Sequence, residues 1–224
     1  MASTLFITGT DTECGKTVST AALARALVAR GQRVACFKPI ASGCRVTPGG
    51  LRNEDAEALI EAMNVELPYE VVNPVAFEPP IAPHIAAEQA GIRIDPDAIC
   101  REILKIDADV RLVEGAGGWL VPLGPRHDMA ALPRALDAAV LLVVGLRLGC
   151  INHALLTARA IRADGLPLAG WIANEVDPDM DVREANVEAI RSRIGCPLIA
   201  RLPHAARPEL EWVDADALTG AQAA

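Results

Sequence analysis

Aromatic residues are scarce in this 224-residue chain, at 3% of the total: three Trp, three Phe and one Tyr. Ala, Val, Leu and Ile must fill its core, a composition suited to buried parallel strands covered by helices. Paired cysteines are missing too. The six thiols, at positions 14, 36, 44, 100, 150 and 196, form no CxxC pair and no zinc-like spacing. A disulfide framework and a structural zinc site are thereby excluded, and the cysteines read as reduced, several of them buried. Long apolar runs are absent: AAVLLVVGL (138–146) has nine residues, whereas a bilayer needs about 20. The start MASTLFITG lacks the basic region and cleavage site of a signal peptide. No basic block offsets the formal charge of −8, so non-specific nucleic-acid binding is disfavoured. These absences lead us to expect a cytoplasmic protein without membrane or nucleic-acid partners. There is also no Ser–His–Asp arrangement and no HExxH motif; His153 reads as exposed or capping.

Half of the chain is hydrophobic, 51%, enough for a substantial core without staples. Short apolar runs alternate with helix-like stretches. Strands are expected at 4–8, 33–38, 110–114, 139–144, 168–174 and 197–202. Helices are expected at 16–31, 53–64 (with Asn53 as N-cap), 95–106, 150–164 and 181–194. Strand–helix alternation of this kind predicts an α/β fold, a mostly parallel central sheet with helices on both faces. No repeat or linker marks a boundary, so residues 1–224 read as one domain. The Pro-rich piece NPVAFEPPIAPH (73–84) reads as a surface loop. The tail from about 210 to 224, ending LTGAQAA, has little to bury and is expected to fray.

The chemistry concentrates at strand ends, where open α/β sheets gather ligands. GTDTECGKT (9–17) follows the first strand and opens the first helix. It resembles a phosphate-binding loop, although five residues separate Gly9 from Gly15 where the usual motif has four. Backbone N–H groups and the helix start would hold phosphate oxygens; Lys16 would reach the outer phosphates and Thr17 would offer a hydroxyl to magnesium. Glu114, ending the third long strand, and Asp55, near the start of the second helix, are candidates to complete an oxygen-rich magnesium site. Each has a plainer alternative, and for Asp55 it is simply an acid favoured by the helix dipole. GAGG (115–118) fails as a dinucleotide fingerprint because position 120 is Leu and no helical pattern follows. It remains readable as a glycine loop near a phosphate or substrate. On position alone Lys38 reads as a solvated surface lysine, with a place near phosphates as the alternative. Ser42 and Gly43 read as ordinary loop residues.

Seven segments occur in order: GTDTECGKT, KPIASG, LRNEDA, NPVAF with PPIAPHIAA, VEGAGGWLVPL, VVGLRLGCINHALLTA and LAGWIANEV. Through them, residues 3 to 209 resemble the dethiobiotin synthetase family, ATP-dependent enzymes with a P-loop NTPase-like fold. That family's P-loop has this extended form. The resemblance implies ring-closing carboxylation of 7,8-diaminononanoate with CO2, using ATP and Mg2+, in a homodimer with active sites at the subunit interface. It assigns the ATP phosphates to Glu13, Cys14, Gly15, Lys16 and Thr17, and magnesium to Thr17, Asp55 and Glu114. Lys38 becomes an active-site lysine alongside Lys16. Thr12 and Ser42 would contact the diamine or its carbamate, and Glu114, Gly115, Ala116 and Gly117 would lie at nucleotide and substrate. Asn174 would read adenine, with Glu175, Pro203, His204, Ala205 and Glu209 around the base. Gly149, Cys150 and Asn152 would receive the substrate carboxylate from the neighbouring subunit. Cys14 and His204 depart from the family pattern, which has an aliphatic residue at the first position and, in some members, an aromatic at the second. The competing reading is a nucleotide switch or partitioning-type ATPase acting through protein partners.

Overall fold

A computed structural model describes residues 3–214; the terminal LTGAQAA lies outside them. In chain order the elements are β1 (Ser3–Gly9), α1 (Lys16–Ala29), β2 (Val34–Phe37), β3 (Ile40–Ser42), β4 (Arg45–Thr47), β5 (Gly50–Arg52) and α2 (Glu54–Ala62). There follow α3 (Tyr69–Val72), β6 (Val75–Phe77), α4 (Pro83–Ala90), α5 (Pro96–Leu104), β7 (Val110–Gly118) and α6 (Ala131–Ala135). The last are β8 (Ala139–Gly145), α7 (Cys150–Ala163), β9 (Leu168–Asn174), α8 (Arg183–Ile194), β10 (Leu198–Leu202) and β11 (Glu211–Trp212).

Seven strands form one sheet in the order β11-β10-β9-β8-β1-β7-β2. Only the short β11 runs antiparallel, pairing with β10; the other pairings are parallel. This is the mostly parallel architecture expected from the sequence. From β1 the chain travels to the edge strand β2, returns to β7, and then crosses over to β8. The strand order therefore reverses at β1, which opens a crevice at its carboxyl end.

Both faces of the sheet are covered, so the central strands are buried on alternate sides. Leu5, Ile7, Cys36 and Leu112 pack with Leu23 of α1 and Leu59 of α2 on one face. Phe6, Phe37 and Val113 pack on the other with Ile99 and Ile103 of α5. Farther along, Leu142 and Trp171 meet Ala154 of α7 and Ile190 of α8. Local chemistry fixes the helix starts. The Asn53 side chain accepts from the Ala56 N–H at 3.2 Å and the Asp95 side chain from the Ala98 N–H at 3.0 Å, each satisfying an amide that the helix leaves free.

Two expectations need correction. The stretch 73–84 is not simply a surface loop: β6 pairs in parallel with β3, Asn73 and Phe77 are buried, and α4 begins at Pro83. Proline commonly punctuates loops, but here it rigidifies an extended path whose non-proline residues pair and pack. GAGG likewise belongs to β7, which continues to Gly118, since the sheet supplies partners that a pattern of small residues does not advertise.

Gly170 of β9 faces β10 so closely that an added Cβ would lie 2.5 Å from Ile199 Cγ1 and 2.9 Å from the Pro197 carbonyl oxygen. Gly170→Ala is therefore expected to destabilise the fold by about 1–3 kcal/mol through overpacking, measurable as a lower urea midpoint at unchanged slope.

Candidate functional site

Strand register creates the centre of the site. Phe37 lies opposite Val113, so the next residues on each strand, Lys38 and Glu114, emerge side by side. Side chains alternate along a strand, which puts both on the α1 face with Cys36 and Leu112. The Lys38 ammonium donates to Glu114 Oε1 at 2.6 Å and lies 2.8 Å from Asp55 Oδ2 on α2. The Thr17 hydroxyl, in the first turn of α1, donates to the same Glu114 oxygen at 2.8 Å. Glu114 is wholly buried and Lys38 nearly so, whereas the Asp55 side chain is 41% exposed. The reading of Lys38 as a solvated surface lysine is thus wrong: strand pairing carries it inward.

Burial acts most strongly on the Lys38 pKa and lowers it, but the Glu114 and Asp55 carboxylates together outweigh that and leave it raised. Asp55 mirrors this. Burial alone would raise its pKa, yet the Lys38 charge and hydrogen bond hold it below its ordinary value. Lys38 and Asp55 therefore both stay charged at neutral pH. Lys16 differs: burial lowers its pKa, and its ammonium donates to the Asp11 carbonyl at 2.9 Å.

The loop itself is shaped by Gly15, at φ +83°, a left-handed conformation in which glycine is at ease. Glu13 adopts φ +58°, an uncommon region for a residue with a side chain. Buried Asn174, at the end of β9, donates to the Cys14 carbonyl at 2.9 Å. Cys14 is itself buried, so it lies under the loop. From the far side Arg147 holds Asp11 in an ion pair of 2.9 Å.

A cavity of about 660 Å³ opens over these groups, lined by Thr12, Glu13, Gly15, Lys16 and Thr17, and also by Lys38, Ser42 and Asp55. Ala116 and Gly117 reach it from β7, whereas Pro80 to Pro83 close it from the Pro-rich segment. Ser42 Oγ and Glu114 Oε2 are buried without hydrogen-bond partners. The structure thus brings Thr12, Glu13, Gly15, Lys16, Thr17, Lys38, Ser42, Asp55, Ala116 and Gly117 to one cavity, but a layer behind Lys38 has no counterpart among the expected residues. There the Asn73 side-chain amide donates to the Lys38 carbonyl at 2.6 Å, Tyr69 donates to Asn73 at 3.0 Å, and the Asn53 N–H donates to Tyr69 at 2.7 Å. A lone tyrosine and an Asn-Pro pair were the available signals.

Two predicted groups stand apart from this cavity. Glu175 and His204 meet at the ends of β9 and β10, where His204 Nδ1 lies 3.1 Å from the Glu175 carbonyl. Glu175 also pairs with Arg183 at 3.1 Å, while His204, Ala205 and Glu209 are exposed and Pro203 is half-buried. Asn174 links this cluster to the P-loop. At the start of α7, Gly149 and Asn152 are exposed but the Cys150 side chain is buried. The Cys150 N–H is already given to the Arg147 carbonyl at 3.0 Å.

Thr17, Asp55 and Glu114 offer a hydroxyl and two carboxylates, the hard oxygen donors that magnesium takes. Buried, unpartnered Glu114 Oε2 leaves donor capacity free, so the residues fit such an ion. Lys38 is the cation these carboxylates hold here.

The fold is one seen before. Chloroplast FtsY from Physcomitrella patens superposes with a TM-score of 0.58 at 20% identity, covering 99% of this chain and 65% of that one. The septum site-determining protein MinD from Pyrococcus horikoshii, in a structure titled as a complex with Mg-ADP, gives 0.55 at 19% identity, covering 91% and 82%. At these identities the likeness concerns the fold, which is P-loop NTPase-like. A family profile described as an AAA domain matches residues 3–211. Sequence relatives go further. The ATP-dependent dethiobiotin synthetase BioD of Pseudomonas paraeruginosa is 52% identical over 205 residues, 90% of each chain. That of Nitrosospira multiformis is 53% identical over 201 residues, 89% of this chain and 87% of its own. This chain belongs to the ATP-dependent dethiobiotin synthetase family. As a dethiobiotin synthetase family member with a glycine-shaped loop, it can be tested at Gly15. An added Cβ there would run into the Asn174 side-chain amide, besides straining the backbone. Gly15→Ala is expected to weaken nucleotide binding by about 10- to 100-fold, the equivalent of the strain of one such residue, in a titration with a fluorescent ATP analogue.

Proposed function

We propose that this chain is a cytoplasmic, single-domain enzyme that closes the cyclic urea of dethiobiotin from 7,8-diaminononanoate, CO2 and ATP, with Mg2+. The observation that carries the reading is the cavity that a P-loop, Lys16, Lys38 and Asp55 line together with Thr12 and Ser42, with buried Glu114 paired to Lys38. One amine nitrogen adds to the carbon of CO2 and loses a proton, giving a carbamate. A carbamate oxygen then takes the γ-phosphoryl group, and ADP leaves. The second amine attacks the carbonyl carbon of this mixed anhydride; phosphate is expelled, a proton is lost, and the ring closes.

Such chemistry asks for positioning and charge neutralisation more than for a protein nucleophile. In this reading the amides from Glu13 to Thr17 hold phosphate oxygens, and Lys16 turns from the Asp11 carbonyl toward the outer phosphates. Lys38 supplies positive charge where carbamate and phosphoryl group meet. Thr12 and Ser42 orient the diamine, for which the unpartnered Ser42 hydroxyl is suited. Thr17, Asp55 and Glu114 would hold magnesium, which neutralises phosphate charge when bound. The adenine would rest near Asn174 and Glu175, against Pro203, His204, Ala205 and Glu209. A nucleotide switch would share the loop, but it would have no use for Lys38 and Ser42 in one cavity.

Incubation with ATP, Mg2+, bicarbonate and 7,8-diaminononanoate should yield dethiobiotin by mass; folded, ATP-binding protein without product would favour the switch. Lys38→Ala should lower turnover by roughly 10²–10³-fold, the scale for losing one aimed charge, assayed on protein shown by circular dichroism to be folded. Near-normal turnover would remove Lys38 from the mechanism.

We further propose a homodimer in which the first turn of α7 from one subunit receives the substrate carboxylate bound in the other. That turn has no acidic residue, and helix starts present amides to anions. Asn152→Asp, at an exposed position, should repel the carboxylate and raise KM. At substrate concentrations well below the raised KM, where Asn152→Asp and Lys38→Ala proteins each turn over little, mixing them gives mixed dimers in which one site is intact. With half of the dimers mixed, roughly a quarter of wild-type activity should return. Confirmed mixed dimers without activity would contradict the shared site.

A further inference from the structure

A second cavity, of about 850 Å³, lies behind α4 and shares no lining residue with the first. Its size is that of a small-molecule site. Four basic side chains line it: His84 on α4, Arg93 just beyond that helix, and Arg126 and His127 on the loop before α6. Glu88 is the one acid in the lining. On a chain of formal charge −8, this is a local reversal of sign.

These groups are unengaged. His84 Nδ1 is buried with no hydrogen-bond partner, which is costly unless something supplies one. Among the described residues, neither Arg93 nor Arg126 has a hydrogen bond or ion pair of its own; Asp95 only feels the Arg93 charge weakly. Beneath the basic groups, buried Ile94 and Leu123 give the cavity an apolar floor.

We propose that this cavity binds an organic anion, a carboxylate head carried on an aliphatic chain. The two guanidinium groups and His84 would take the head through charge-assisted hydrogen bonds, and Ile94 and Leu123 would cover the chain. Inorganic phosphate would use only the polar half. The site is separate from the proposed catalytic one, although α4 borders both: Pro83 lines the first cavity and His84 the second.

The chain has four histidines, two of them in this cavity, so their imidazole signals in a proton–carbon NMR spectrum report on it directly. Sodium octanoate is the probe. It should shift the His84 and His127 signals saturably while His204 stays fixed; any shift of His153 would report α7 instead. In the Arg93→Ala/Arg126→Ala variant the His84 and His127 response should weaken by about tenfold or more, the loss of two charged partners, with the circular dichroism spectrum unchanged. Octylamine, with the charge reversed, should not bind there. No saturable shift of His84 and His127 at millimolar octanoate, an undiminished response in the double variant, or equal binding of octylamine would overturn the proposal.

Discussion

The buried Glu114 carboxylate is the constraint around which the site is arranged. A charge taken out of water is tolerated only when other groups replace the lost hydration. Glu114 obtains this from the Lys38 ammonium and the Thr17 hydroxyl, which come from β2's end and from the helix that follows the P-loop. Three elements are thereby tied at one carboxylate, at the carboxyl ends of adjacent strands. Lys38 in turn engages Asp55, bringing α2 into the same arrangement. A charged cluster of this sort is weak evidence for stability, but removal of one member leaves an uncompensated charge.

The surroundings serve that cluster. Asn73 fixes the Lys38 backbone, Tyr69 fixes Asn73, and Asn53 fixes Tyr69, so the lysine is held from behind while its ammonium faces the carboxylates. Asn174 and Arg147 grip the P-loop from two sides. In the proposed reaction, an anionic substrate and its phosphates would compete for the Lys38 charge, and magnesium for the carboxylates. The ion pairs seen here thus keep Lys38 and Asp55 charged for those roles.

Much of this was legible in the sequence because it depends on local signals. The long strands and helices followed from apolar runs and caps, and the lengths of β8 and α7 differ little from the expected 139–144 and 150–164. Gly15, Lys16 and Thr17 announced themselves by spacing. Lys38 did not: on position alone it looked solvated, and only the Phe37–Val113 register reveals that it enters the core beside Glu114. The three-residue strands β3 and β6 were also hidden, being too short to display a period and interrupted by prolines. Tyr69 and Asn73 escaped notice because a support role has no motif. Family resemblance pointed to Lys38 and Ser42, which line one cavity, whereas it said nothing of the cavity behind α4.

A double-mutant cycle on Lys38 and Glu114, read by urea unfolding of the nucleotide-free protein, tests the central claim most directly. Lys38→Met alone should destabilise by about 3–5 kcal/mol, as should Glu114→Gln to a lesser degree, because each strands a buried partner. The double variant should recover a good part of that loss, giving a coupling energy of roughly 2–3 kcal/mol. Small and additive single effects would contradict the view that this buried pair organises the site.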